Sequence, residues 1–211
     1  MCPDSKSWLK FLGILLGLCV VLYLLKYHNK STLSTNPSCK ELLALMTKLW
    51  LEHVWWTRNY IVVALLGLPD EGATLNRLLK NQVDIANAMA ILYGSRAGDK
   101  LNNLLQEHIL IAGEIVRSLR EDSAGLRRVG VEKWYRNADD IAKALCELNP
   151  YLTYNAVKKQ MYMHLELTTR EIMGYQNGLW DENINAMDKV VEHAQSLATI
   201  LTDAICKHKG L

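Results

Sequence analysis

The chain has 211 residues, room for one domain or for one domain with an appendage, and not for two catalytic domains. Half of its residues are hydrophobic, 22% are charged and only 4 are Pro, so it can bury a sizeable core and is neither disordered nor collagen-like. Its 24 Lys and Arg are nearly cancelled by 22 Asp and Glu, and a net charge of +2 argues against a polyanion-binding protein, so no nucleic-acid partner is expected.

The first element is apolar. Phe11 to Leu25 form 15 uninterrupted apolar positions, and Trp8 and Leu9 carry the stretch past a single Lys10, which can snorkel. A spanning helix needs about 20 residues with a lower limit near 17, whereas a signal-peptide core has about 7 to 15. The flanks favour the span: Trp8 and Tyr27 stand where interfacial aromatics belong, Lys26 and Lys30 stop the run, and no small-residue cleavage pair follows. Residues 8–27 therefore read as an uncleaved transmembrane anchor, with a cleaved signal as the alternative, and the membrane is the first expected partner. Orientation stays open, because Lys6 and Lys10 on one side are balanced by Lys26 and Lys30 on the other. Leu18 before Cys19 argues against a lipoprotein site, and Asn29-Lys30-Ser31 is a formal glycosylation sequon close to the bilayer.

Residues 28–40 (HNKSTLSTNPSCK) are polar and contain Asn36-Pro37, which disfavours helix, so they read as a linker. Residues 41–208 then read as one all-α domain with helical periodicity throughout. Break signals at Pro69–Gly72, Gly94–Gly98, Asp122–Gly125, Asn149-Pro150 and Asn177-Gly178 divide it. The spacing predicts long helices over about 40–67, 97–121, 126–148, 154–177 and 181–207, with shorter helical pieces between 74 and 93. Short loops between long helices imply an antiparallel up-and-down bundle of about five long helices, preceded by the single N-terminal transmembrane helix.

The domain carries no Gly-rich phosphate loop, no dinucleotide fingerprint, no GxSxG elbow and no HExxH, so nucleotide-dependent and common hydrolytic chemistries lack support. Five Cys without CxxC or regular spacing suggest neither a disulfide scaffold nor a zinc ribbon, and Cys39, Cys146 and Cys206 read as small buried hydrophobes. Trp50, Trp55, Trp56 and Tyr60 sit at helical spacing and read as core or helix-packing surface before a stacking platform.

Four of the six His stand out, because His53, His108, His164 and His193 each fall on a different long helix. His53 shares a face with Met46, Leu49, Trp56 and Tyr60; His108 with Leu101, Leu104, Ile111 and Ile115. His164 shares one with Val157, Met161 and Leu167; His193 with Ala186, Val190, Leu197 and Ile200. Each lies near the midpoint of its helix, and antiparallel packing brings midpoints into one layer. The remaining long helix brings Asn137 at its own midpoint, with Asp140 one turn on; Glu171 lies two turns past His164, and Thr57 and Thr168 each follow a layer His by four residues.

Two uses of such a layer compete. Neutral imidazoles could converge on a transition metal such as Zn or Fe, with Asn137, Asp140 or Glu171 as a further ligand or orienting group. Alternatively, the imidazoles hydrogen-bond one another, Asn137 and the Thr hydroxyls, and fix helix register. The carboxylate-rich di-iron pattern is missing, and in Glu52-His53, Glu107-His108 and Glu192-His193 the Glu points about 100° away from its His.

The soluble part resembles a family of small, mostly bacterial helical proteins of unestablished function. The likeness rests on Leu49-Trp50-x-x-His53-Val54-x-Trp56-Thr57-Arg58, on Leu79-x-Asn81-Gln82-x-Asp84-Ile85-x-Asn87-Ala88, and on Tyr93-Gly94. It continues with His108, Trp134-Tyr135-x-Asn137-Ala138-Asp139, His164-Leu165-x-Leu167-Thr168-Thr169, and Asp188 followed by His193, covering about 45–205. Members have carried labels such as acetylglutamate kinase or glycosyltransferase, and no motif here matches either activity. The resemblance implies a fold unit to which the four His belong and supplies no reaction; the N-terminal anchor is a departure from it. The sequence therefore leads to a membrane-anchored bundle with no assigned catalytic residue, its His layer structural or ligand- or metal-binding. A metal-dependent redox or hydrolytic enzyme and a tethered scaffold with a protein partner are the alternatives.

Overall fold

The first helix begins where the sequence supplies a cap. In the computed structural model, which describes residues 37–211, the Ser38 hydroxyl accepts from the Glu41 amide while the Glu41 carboxylate accepts from the Ser38 N–H. This reciprocal box starts α1 (Cys39–Leu66), so Cys39 and Lys40, expected in the linker, belong to the first helical turn. The expected anchor over 8–27 and the linker up to residue 36 lie outside the described residues. Among the described residues, no helix is long and apolar enough to cross a membrane.

Five helices follow: α2 (Glu71–Tyr93), α3 (Ser95–Arg120), α4 (Ala124–Leu148), α5 (Tyr154–Gln176) and α6 (Trp180–Lys209). The all-α architecture is as expected, but α2 is one continuous helix where only shorter pieces were anticipated, so the long helices number six among the described residues. The reason is legible in its buried face, which runs Thr74, Leu78, Asn81, Gln82, Ile85, Ala88 and Met89. Two amides in the middle of that stripe break the apolar periodicity although they are themselves fully buried.

Each helix packs on the next in sequence, α6 returns to pack on α1, and α1 also touches α3. The connections are short enough to force antiparallel neighbours. Between α2 and α3 the chain turns on Gly94 alone, at φ 89°, a backbone that L side chains rarely adopt. The turn is that tight because Gly98 lies against α2: a Cβ there would stand 2.6 Å from the Ala90 Cβ.

The core has two apolar halves. Toward the α1–α2 connection, Tyr60, Ile61, Ala64, Leu78, Val116 and Ile172 pack together. Toward the opposite end, Met46, Ile85, Leu101, Ile141, Met161 and Leu197 bring one side chain from each of the six helices around a cavity of about 40 Å³. Trp50 and Tyr60 are buried in these halves and Trp56 is partly buried beneath the Arg77 guanidinium, but Trp55 is 60% exposed and does not join them.

Covalent chemistry closes the ring. Cys39, in the first turn of α1, is disulfide-bonded to Cys206 in the last turn of α6, across 167 residues of sequence. This corrects the expectation that both thiols are free; Cys146 alone is a free thiol among the described cysteines. Spacing along the sequence carried no sign of the bridge, because only the antiparallel return of α6 beside α1 brings the two Cα atoms to 5.7 Å.

Cross-linking so long a loop removes a large share of unfolded-chain entropy, worth about 2–5 kcal/mol. Reduction of the intact chain is therefore expected to lower its denaturant midpoint by a corresponding amount at an unchanged helical circular dichroism spectrum. An unchanged midpoint would show that the bridge contributes no stability.

Candidate functional site

The histidine layer lies between the two apolar halves. His53 on α1, His108 on α3, His164 on α5 and His193 on α6 are all buried. His164 is central: its ring centroid lies 5.6 Å from His53, 6.2 Å from His108 and 6.1 Å from His193, nearly parallel to the last two. Asn137 joins them from α4, its Oδ1 2.7 Å from His108 Nδ1.

The other two candidates stand apart. Asp140 is exposed and paired with Lys143 on its own helix at 2.9 Å, so it does not orient the layer. Its position one turn from Asn137 carries it out of the core, because α4 turns its apolar stripe of Trp134, Asn137, Ala138 and Ile141 inward and leaves residue 140 outside. Glu171 is buried, as its stripe position required, but its carboxylate meets Arg58 Nη1 at 3.2 Å and its backbone carbonyl accepts from Asn183 Nδ2. Burial pushes the Glu171 carboxyl up to about 7, against the pull of Arg58.

Neighbouring amides assign the imidazole tautomers. The Asn137 Nδ2 donates to the Leu104 carbonyl at 3.1 Å and to Glu107 Oε2 at 3.2 Å, which fixes the amide and aims its oxygen at His108. His108 Nδ1 must therefore donate, and Nε2 carries the lone pair. On the other side, Gln82 Nε2 faces the Leu78 carbonyl and Asn81 Oδ1, and Asn81 is itself fixed by donating to the Leu49 carbonyl. His53 Nδ1 lies 3.1 Å from the same Gln82 nitrogen, which can only donate, so Nδ1 accepts a share of two amide protons divided among three acceptors and the proton of His53 sits on Nε2. His193 Nε2 donates to the Gln160 carbonyl at 3.1 Å.

Gln82 and the Gln160 carbonyl are partners that sequence reasoning missed. The signal for Gln82 was present in the adjacent amides Asn81 and Gln82 of the sequence; a backbone carbonyl leaves no trace in a sequence. Glu107 was expected to face outward and is exposed, yet its carboxylate still reaches the Asn137 amide from the rim.

Below His53 and His164, Thr57 and Thr168 extend the layer as their four-residue spacing predicted. Together with His53, His108, His164 and Trp134 they line a cavity of about 20 Å³. His108 Nε2, Thr57 Oγ1, Thr168 Oγ1 and Trp134 Nε1 have no hydrogen-bond partner among the described residues.

Burial keeps the layer neutral. It pushes His53 down to about 3, helped by repulsion from His108, and His108 down to about 4 despite its bond to Asn137. His164 is held well below the usual imidazole range by burial and then by His53, His108 and His193; burial lowers His193 too, against its bond to the Gln160 carbonyl. Among the described residues, no group of three or more His, Cys, Asp or Glu is arranged to hold a metal ion. No known protein family, curated protein or solved structure matches the chain.

A group whose folded pKa is depressed stabilises the fold fully above its unfolded pKa and loses that contribution as pH falls toward the folded value. For the four His the unfolded value is about 6.5, so each one still neutral costs about 1.4 kcal/mol per pH unit below it. Glu171 runs the other way, since its raised pKa stabilises the fold at low pH and loses that effect as pH rises toward about 7. Four imidazoles outweigh one carboxyl, and the urea midpoint is expected to fall steeply from pH 6.5 to 4.5. A flat profile over that window would show that the layer is not buried and neutral.

Asn137→Ala is expected to cost about 1–3 kcal/mol, because it strands the His108 Nδ1–H in the core. A cost below about 0.5 kcal/mol would remove Asn137 from the layer.

Proposed function

We propose that the chain is a membrane-tethered helical-bundle protein whose folded domain stands in an oxidising compartment, and whose histidine layer is a structural polar core. The observation that carries the role of the layer is that three of its four imidazoles are bound to partners within the fold, Gln82, Asn137 and the Gln160 carbonyl, each on a different helix. Groups committed in this way set helix register.

The tether rests on the sequence of residues 8–27, and the compartment on the Cys39–Cys206 disulfide. Such bonds persist in secreted, periplasmic and luminal proteins and are reduced in the cytosol. A single span would then leave Met1 on the reducing side and decide the orientation that balanced Lys flanks leave open. The resemblance to the bacterial helical family fits this reading, since its pattern includes the four His and no catalytic motif.

A second reading, a metal centre, is favoured by one feature. A ligating His commonly donates its other N–H to a fixed carbonyl, and His108 does this toward Asn137 with Nε2 left unpaired near His164. Elemental analysis of chain purified without a metal-affinity tag separates the two. Zn and Fe well below one equivalent are expected, and a stoichiometric metal would replace the structural reading with the metal centre. Alkylation of intact cells followed by a non-reducing gel checks the compartment: Cys39 and Cys206 are expected to be protected as a disulfide, and their full alkylation would place the domain in a reducing compartment.

A further inference from the structure

The cavity beside the histidine layer is small, and among the residues that line it are four with a polar atom that needs a partner. Its volume of about 20 Å³ exceeds the 10–15 Å³ or so that one water requires and leaves no room for a ligand of several non-hydrogen atoms. Ile61, Leu78, Ile109, Val116 and Ile172 supply much of the wall, and four other lining residues carry hydrogen-bonding atoms without partners among the described residues: the His108 Nε2 lone pair, the hydroxyls of Thr57 and Thr168, and the Trp134 indole N–H. Leaving such groups bare is costly, and buried waters are held by two to four bonds of this kind.

The tautomer of His108 narrows the occupant. Asn137 takes the Nδ1 proton, so Nε2 can only accept, and the occupant must donate to it. Trp134 can only donate, so the occupant must also accept. A monatomic cation cannot accept from the indole, and a monatomic anion cannot donate to the imidazole. The contrasting cavity of about 40 Å³ in the same core is larger but walled by Met46, Met89, Leu101, Ile141, Met161 and Leu197, and such a cavity stays dry.

We infer that this chamber is a binding site for one water molecule, which donates to His108 Nε2, accepts from the Trp134 indole and bridges the hydroxyls of Thr57 and Thr168. The inference rests on the reading of the layer as neutral and metal-free. The water links α1, α3, α4 and α5 at the height of the layer, supplying the bonds that the protein's own groups leave unmade.

Isosteric substitutions test this by the sign of their effect. If Thr57 and Thr168 shared no occupant, Thr57→Val and Thr168→Val would each remove an unpaired hydroxyl and raise Tm. If the water is present, each is expected to lower the Tm of the intact chain in detergent by about 2–4 °C, and the double variant by less than the sum, since one water serves both. A rise in Tm, or strict additivity, overturns the inference. In chain labelled with ¹⁵N-histidine, the His108 Nε2 resonance is expected at the position of a hydrogen-bonded acceptor and to move toward a bare imidazole nitrogen in the double variant. A resonance that stays in place also overturns it. Dialysis against chelator should leave Tm unchanged; a loss of Tm would mean a cation occupies the chamber, and would bring down the metal-free reading as well.

Discussion

The neutrality of four imidazoles in one layer is the constraint around which this domain is arranged. His164 stands about 6 Å from each of the other three, so a proton on any one of them raises the cost of a proton on the next. Neutral rings must each present one donor and one acceptor, and the fold answers with amides locked by their own bonds. Asn137 is held by Leu104 and Glu107 and Asn81 by Leu49, while Gln82 divides its two amide protons among His53, the Leu78 carbonyl and Asn81. Every helix contributes: His53, Gln82, His108, Asn137, His164 and His193 come from α1 to α6 in turn. Sliding any helix by one turn would strand several of these groups at about 1–3 kcal/mol each, whereas the apolar halves on either side could repack at lower cost.

A second buried polar group answers to different rules. Glu171 is paired with Arg58, whose guanidinium also lies over the Tyr175 ring at 5.3 Å. Tyr175 meets Trp180 edge-on across the short turn into α6, and Asn183 ties α6 back to the Glu171 carbonyl. The layer depends on staying uncharged, while this pair couples a cation to a carboxyl whose pKa lies near neutrality. At the same end of the bundle, Glu71 receives Arg117 and Arg120 from α3, and Arg120 also donates to the Ala64 carbonyl of α1, beside the bond that carbonyl takes from the capping Gly67 N–H. Polar chemistry thus joins the helices at the layer and again where the chain turns.

What the sequence made legible follows from periodicity. His53, His108, His164 and His193 could be placed in one layer because a midpoint on an apolar stripe is a local property, and antiparallel packing converts it to a height. Thr57 and Thr168 followed from the four-residue spacing. Helix α2 escaped as a unit because Asn81 and Gln82 occupy stripe positions that periodicity reserves for apolar residues, and the missing helix took with it the partner of His53. Asp140 was placed near the layer by proximity to Asn137, although three residues along a helix can exchange core for solvent. The Cys39–Cys206 bridge was invisible because it depends on which helices end up adjacent, a property of the closed ring and not of any segment.

That bridge also decides where tension can travel. A pull entering at Pro37 meets Cys39 two residues later, crosses the sulfur–sulfur bond to Cys206, and leaves through the last five residues to Leu211. The chain from 40 to 205 is in parallel with this short covalent path and carries none of the load between the two ends. Stretching the molecule end to end would therefore leave the helices folded at forces that peel an unbridged bundle apart. The same pull after reduction would act directly on the first turn of α1 and unzip it from α6, so the thiol state of two cysteines sets whether the domain behaves as a rigid bead or as an extensible spring.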